Sequence, residues 1–523
     1  MGWPRSARIC SVVGLVGAVA CGEDDAPRPA EPVDWFRDVS AVSGVDAAFD
    51  GAQYRSQGLA VADFDGDGQL DVLAVGGVEQ ATYLHNLGGL TFANETVAAG
   101  LAGDANVVAA AAGDLDGDGD TDAILAGFDG VLLFRNTGGA FADDTAGAGF
   151  EGTAPALGVL LVDLDNDGAT DLFAINQRPP NRLYRNAGDG SFAEALVGVD
   201  VDVLAHAWVA AAIDHDRDGD TDLYVGHDMV IVDDGERPFP PGTGAGGPDH
   251  LFENRGYPVF ENVGDAAGIT EPRSTMGILF EDMTGDGVPD LFLTDVGRND
   301  LLAGNGDGTF TDITENAGLG ETRRVDNECP ADDVPGPLSS CWYVGWSAVY
   351  EDFDLDGLPD LLVANSSVNG DLPQPVQTWR QRAPGDYVRV DPGLGFTGAR
   401  GVAAADFDGD GDVDLFVPSH EALRLYENTS EAARVTAVTL KGTASNPDGL
   451  GADVTAAFES GRAHTRRVGV GGQPHSWGPT TLYFSGGSDP VTRIDVRWPS
   501  GAQQTVPVIG AGPLTIVEPP RTP

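Results

Sequence analysis

The sequence predicts an all-β chain: a seven-bladed β-propeller followed by a small β-rich C-terminal domain. Three observations carry that expectation. A nine-residue pattern, D-x-D-x-D-G-x-x-D, recurs in seven copies, with first aspartates at 63, 114, 163, 214, 282, 352 and 406 and with Thr284 replacing the second aspartate of the fifth, and self-similarity at such a period marks a repeat architecture. The spacings of 51, 49, 51, 68, 70 and 54 residues suit one four-stranded blade per repeat. Charge then changes abruptly: the 523-residue chain has a formal net charge of −53, yet residues 431–523 carry eight Lys and Arg against seven Asp and Glu, a net of +1 that leaves −54 before them. A domain boundary near 430 follows. So strong an acidic excess disfavours nucleic acid and anionic lipid as direct ligands and favours cations.

In chain order, Arg5 and Arg8 precede the apolar run "ICSVVGLVGAVA" and Cys21, the layout of a secretory signal over residues 1–20, too short to span a bilayer. "AVAC" admits an A-x-A cleavage site or a lipobox-like site that leaves Cys21 lipidated. Cysteine arithmetic favours lipid, because Cys329 and Cys341 can pair in an oxidising compartment and Cys21 would otherwise be an odd exposed thiol. The expectation is an exported outer-membrane or cell-surface lipoprotein, otherwise a secreted protein, touching membrane only through that anchor. Residues 21–34, acidic and proline-rich, read as a flexible tether, residues 35–430 as the propeller, 431–517 as the C-terminal domain and 518–523 as a tail.

Each acidic motif lies between two short apolar runs, such as "GLAVA" before and "DVLAV" after the first, and so forms the turn of a β-hairpin. A glycine at position 6 allows the sharp bend that lets oxygens from positions 1, 3, 5 and 9 converge, while position 7 offers its backbone carbonyl. Hard oxygen ligands at this density point to calcium, about seven ions, one per loop. The candidate ligands are Asp63, Asp65, Asp67, Gln69 and Asp71; Asp114, Asp116, Asp118, Asp120 and Asp122; Asp163, Asp165, Asp167, Ala169 and Asp171; Asp214, Asp216, Asp218, Asp220 and Asp222; Asp282, Thr284, Asp286, Val288 and Asp290; Asp352, Asp354, Asp356, Leu358 and Asp360; and Asp406, Asp408, Asp410, Asp412 and Asp414. Position 7 shares no side-chain chemistry, as a main-chain ligand allows. An EF-hand is excluded, since it needs a glutamate at position 12 and flanking helices. Two carboxylates 4 Å apart repel by about 4 kcal/mol at an effective dielectric of 20, so the loops are expected to close only around a dication.

A third strand and then a fourth complete each blade. The fourth opens with Phe, followed eight residues later by Gly, at Phe92, Phe141, Phe260 and Phe310; the signal is weak in blade three and unclear in blade six. Blade seven lacks this strand after "LRLYENTS", and "FRDVSAVSG" from Phe36 repeats the pattern, so the N-terminal strand is expected to close the ring.

These motifs resemble the FG-GAP/VCBS-type repeat propellers, akin to the integrin α-subunit head and more closely to the cartilage acidic protein type. "LKGTASNPDGLGADV … RIDVRWPSG", from Leu440 to Gly501, resembles the ASPIC/UnbV module, with Asp453 where that family tends to carry arginine and "FSGG" in place of its glycine-rich segment. The resemblance implies calcium binding and extracellular adhesion or recognition.

Strand alternation places three long insertions, Met229 to His250, Glu321 to Trp342 and Ser366 to Asp386 (with Trp379), on the face opposite the acidic loops. Arg55, Gln57, His206, Trp208, Met276, Trp346 and Arg400 are expected to line that rim, with Arg55, Trp208, Trp346 and Arg400 available to clamp a glycan or an acidic peptide. The competing reading packs the tryptophans between blades. The leading function is a monomeric recognition module without chemistry of its own, partnered by an extracellular protein or glycan. The alternatives are a polysaccharide lyase, with His206 or Tyr387 as base beside Arg55 or Arg400, and a structural envelope or matrix component.

Overall fold

A computed structural model describes residues 30–45, 58–76, 81–176, 180–195, 207–227, 248–320, 343–366, 374–395, 398–419, 422–430, 434–473 and 475–520. Seven antiparallel sheets follow one another along the chain, each containing one acidic hairpin. In blade 3, for example, Ala156–Val162 pairs with Asp171–Asn176, that with Arg182–Asn186, and that with Phe192–Glu194. Closure is as expected: Phe36–Asp38 pairs with Leu423–Asn428 of blade 7, Phe36 opposite Asn428 and Asp38 opposite Tyr426. No edge is then left between the first and last blades.

Two stitches join neighbouring blades. On the outside, the amides of Phe141, Phe192 and Phe310 donate to the carbonyls of Ala99, Ala148 and Ala267 of the preceding blade at 2.8–2.9 Å. The glycine after each such alanine is thereby pressed against the next blade. A Cβ at Gly149, whose φ is +95°, would stand 2.5 Å from the Phe192 carbonyl oxygen, which accounts for the Phe-to-Gly spacing. On the inside, a third-strand amide side chain donates to the carbonyl of loop position 2 in the preceding blade: Asn136 to Phe64 (2.6 Å), Asn186 to Leu115 (2.8 Å), Asn254 to Leu164 (3.1 Å), Gln381 to Met283 (2.9 Å) and Asn428 to Phe353 (3.1 Å). Asn86 does the same to Phe407 of blade 7 at 2.9 Å, so this stitch also closes the ring.

Two expectations need correction. The tether is ordered by its end: Glu31–Pro32 runs parallel to the outer strand of blade 6, Glu31 opposite Val390. The third insertion is shorter than expected, because Gln377–Ala383 is the third strand of blade 6 and Asp386–Asp391 its fourth, without an opening Phe. Trp379 is therefore a buried strand residue, with Arg389 over its ring.

The C-terminal domain is two sheets. Val435–Lys441 lies between Leu482–Ser485 and Gly512–Val517; Asp453–Phe458 lies between Ala463–Arg467 and Val491–Arg497, with Gln503–Pro507 at the edge. This domain sits on the acidic-loop face and sends the segment following Arg467 down the propeller axis. Ala212 donates to the Val470 carbonyl, Gly472 to Ala210, Ile278 to Gly472, Ala110 to His475 and Val61 to Trp477, at 2.7–3.1 Å. Strand-like pairing along the axis requires small inner strands. Their alanine-rich sequences "VVAAAAG" and "AWVAAAI" provide the room, and a Cβ at Gly58 would stand 2.2 Å from the His475 carbonyl oxygen.

Candidate metal centres and their cap

Each acidic loop is folded by its own carboxylates. In blade 1, the Gly66 and Gly68 amides donate to the two oxygens of Asp63 (2.9 and 3.0 Å), Asp67 to Asp65 (3.1 Å) and Gln69 to Asp67 (2.8 Å). The position-9 aspartate anchors the hairpin base: Asp71 accepts the Asn86 amide at 2.7 Å and the Phe64 amide at 3.2 Å. The third-strand amide repeats this bond to Asp122, Asp171, Asp222, Asp290, Asp360 and Asp414 at 2.8–3.0 Å.

Carboxylate oxygens cluster within the loops. One oxygen each from Asp63, Asp65 and Asp71 lies within 4.8 Å of the others, as for Asp114, Asp116 and Asp118, and for Asp163, Asp165 and Asp167. Burial, reinforced by neighbouring carboxylates, pushes Asp163 up to about 7, Asp171 to about 8 and Asp412 to about 9, with Asp360 and Asp414 held well above the usual range. Among the described residues, Asp163 Oδ1, Asp171 Oδ2 and Asp412 Oδ1 are buried without a hydrogen-bond partner. Asp163 and Asp171 are positions 1 and 9 of loop 3, and orphaned anionic oxygens there fit a hard divalent cation, which would be held by positions 1, 3, 5 and 9; Asp412 is at position 7 of loop 7, outside that set.

The sequence reading missed a cation on the third strand. The residue preceding the stitching amide faces its own loop: His85 Nε2 is 2.9 Å from Asp65, Arg135 Nη1 2.7 Å from Asp122, Arg380 Nε 2.7 Å from Asp354, and Arg185 pairs with both Asp165 and Asp167. Blades 4 and 7 carry Glu253 and Glu427 there, and blade 5 carries Ala303. Its sequence signal was the basic residue before Asn in "LHN", "FRN" and "YRN" and before Gln in "WRQ".

The cap supplies further cations. Arg466, buried, bridges Glu281 (3.2 Å) and Glu351 (2.9 Å), the residues immediately before the first aspartates of blades 5 and 6. Arg497 bonds both Asp214 and Asp453, and Arg467 lies 2.9 Å from Asp453 and 3.7 Å from Asp214. Asp453 thus orients two arginines towards loop 4. Asp448 accepts the Asp114 amide (3.0 Å), and Tyr483 Oη accepts that of Asp406 (3.2 Å).

The expected rim is corrected. Trp346, Arg400 and Met276 are buried. Register shifts at Ala207/Val209 and Gly345/Ser347 leave Trp208 and Trp346 as bulge residues, and bulges re-aim side chains. Their rings meet at 5.6 Å, Trp208 lies 5.9 Å from His475 of the axial segment, and the Arg400 guanidinium stacks on Trp346 at 4.2 Å. Tyr387 is equally buried, its hydroxyl 2.8 Å from Gln381 Nε2, so it is no candidate base. Arg55, Gln57, His206, Cys21, Cys329 and Cys341 lie outside the described residues, as do most of the first two insertions.

Residues 63–125, 114–174, 163–225 and 352–417 match the FG-GAP-like repeat family, and residues 442–522 match the ASPIC and UnbV family. The chain thus contains FG-GAP-like repeats in its propeller and an ASPIC and UnbV domain as its cap. Cartilage acidic protein 1 of Homo sapiens is 24% identical over 266 residues, covering 49% of this chain and 38% of that protein; the Mus musculus protein is 23% identical over the same span. The matched stretch is thus well under half of either relative. Among solved structures, an Agrocybe aegerita lectin recognising non-reducing terminal N-acetylglucosamine aligns over 70% of this chain and 86% of its own (19% identity, TM-score 0.39), and Saccharomyces cerevisiae Sqt1 over 77% and 100% (10% identity, TM-score 0.40). Among the described residues of the FG-GAP-like propeller and its cap, no helix is long and apolar enough to cross a membrane.

Proposed function

We propose that this FG-GAP-like protein is an exported, calcium-binding recognition module acting in adhesion to an extracellular protein or glycan. The observation that carries the reading is the pair of buried, partnerless carboxylate oxygens at positions 1 and 9 of loop 3, whose aspartates burial pushes far above their usual pKa. Calcium at these loops would neutralise the propeller face on which the ASPIC and UnbV cap rests. Ligand contact is assigned to a polar cleft of about 430 Å³ between loop 4 and the cap, where Arg217, Asp495, Gln503, Gln504 and Thr505 offer donors and acceptors suited to sugar hydroxyls or peptide amides. The burial of Tyr387 and Arg400 weighs against the lyase alternative. Anchoring through Cys21 and a Cys329–Cys341 disulfide are part of the proposal, and intact mass of the mature protein reads both.

Equilibrium dialysis with elemental analysis should find calcium near one ion per hairpin. Glycan and peptide arrays probed with calcium-loaded protein should give signals that Gln504→Ala and Arg217→Ala abolish without changing circular dichroism. Full compactness in EDTA with few bound ions would overturn the calcium reading; array binding untouched by both substitutions would overturn the cleft.

A further inference from the structure

On the face opposite the acidic loops, the second strand of blade 4 ends at His227 and the third begins at His250. Their rings lie 4.6 Å apart at 70°. The His227 side chain is fully buried, and its Nδ1 is 3.9 Å from Asp249 Oδ1. Among the described residues, His227 Nδ1, His227 Nε2 and His250 Nδ1 are buried without a hydrogen-bond partner. Nitrogens without a full-geometry hydrogen bond on two imidazoles whose rings touch are unusual, since buried polar atoms normally find partners; the Pro248 backbone is the other polar neighbour of His227.

Asp249 is held in place from several sides. Oδ2 accepts the hydroxyls of Tyr224 (2.8 Å) and Thr275 (2.6 Å), and Oδ1 accepts the His227 amide (2.9 Å). Oδ1 also faces His227 Nδ1 at 3.9 Å, and an outer shell of this kind is how metal-ligating carboxylates are oriented.

We propose that His227, His250 and Asp249 form a second cation site, distinct from the acidic loops, that takes zinc or a related divalent d-block ion. Calcium does not suit it, because calcium takes oxygen ligands, whereas two imidazoles and one carboxylate form a common zinc donor set with a fourth position open. The site would tie the two strands that flank the blade 4 insertion.

The test uses full-length mature protein in saturating calcium, titrated with zinc by calorimetry and with cobalt(II) by visible absorption. One zinc per chain is expected, with an intense d–d cobalt band of low coordination number. His227→Gln and His250→Gln should each remove the band and weaken zinc by about tenfold or more, whereas His85→Gln, beside loop 1, should change neither. His250 is only half-buried, so His250→Gln decides the matter if His227→Gln does not fold; the thermal midpoint in calcium reports folding. Absence of zinc binding in saturating calcium, binding that survives His250→Gln, or loss in His85→Gln instead would each overturn the proposal.

Discussion

Arg466→Met is expected to undock the cap while leaving the blades formed. Arg466 reaches Glu281 through Nε and Nη2, both 3.2 Å from Oε1, and Glu351 through Nη1 and Nη2, both at 2.9 Å. All three residues are largely sequestered from water, and burial already pushes Glu281 up to about 7, with Glu351 and Asp282 adding repulsion. Methionine fills similar volume but leaves two carboxylates facing each other beside the loops of blades 5 and 6. Removing one partner of a buried ion pair costs about 3–5 kcal/mol; at about 1.4 kcal/mol per factor of ten, the docked-to-undocked ratio falls by roughly two to three and a half decades. Hydrogen exchange of residues 468–473 and 475–478, measured in calcium, reads this directly because their amides and carbonyls bond to the inner strands. Outer-strand amides such as Phe141 and Phe192 should keep their protection. The triple variant Arg466→Met, Glu281→Gln, Glu351→Gln should recover most of the loss. Unchanged exchange of the axial segment in Arg466→Met, or no recovery in the triple variant, would refute an electrostatic latch.

Other expectations follow from the same geometry. In EDTA, stability should rise as pH falls from about 8 towards 5: Asp290 and Asp352 are pushed to about 7, and Asp163 and Asp171 to about 7 and 8, from 3.8, so the folded chain holds protons that the unfolded chain releases across that window. In saturating calcium the slope should reverse, because protons then displace the ion; melting curves with the same slope in both buffers would contradict this. Arg185→Gln should tighten calcium at loop 3 by roughly fivefold, about 1 kcal/mol for a cation two-fifths exposed, and lower the melting point in EDTA, as read by terbium luminescence and thermal scans. Asn186→Ala should cost about 1–3 kcal/mol, since the carbonyls of Leu115 and Thr170 both lose their donor inside the ring; a denaturant midpoint unchanged from the parent would sink the inter-blade stitch.

Local chemistry made much of the molecule legible in advance. The acidic hairpins announce themselves because glycine at fixed offsets and aspartate at alternate positions have few other structural uses, and the Phe-to-Gly spacing betrayed the fourth strands wherever a backbone carbonyl of the next blade presses on the glycine. Blade 6 hid because Asp386–Asp391 uses Tyr387 where the other blades use Phe. The rim was misplaced for a different reason: His475, 267 residues further along the chain, packs against Trp208, and Arg400 stacks on Trp346 rather than reaching solvent.

The sequence by itself determined the repeat, the number of blades, the hairpin turns and the use of the N-terminal strand to close the ring, since each depends on residues near one another or on a pattern that recurs. Only the tertiary structure decided which charges meet. Arg466 joining Glu281 to Glu351, Arg497 reaching Asp214, and the His227–His250 pair all arise from long-range docking or from strand pairing across an insertion. Spacing along a chain carries no record of such contacts, because the ring and its cap fix them through packing in three dimensions.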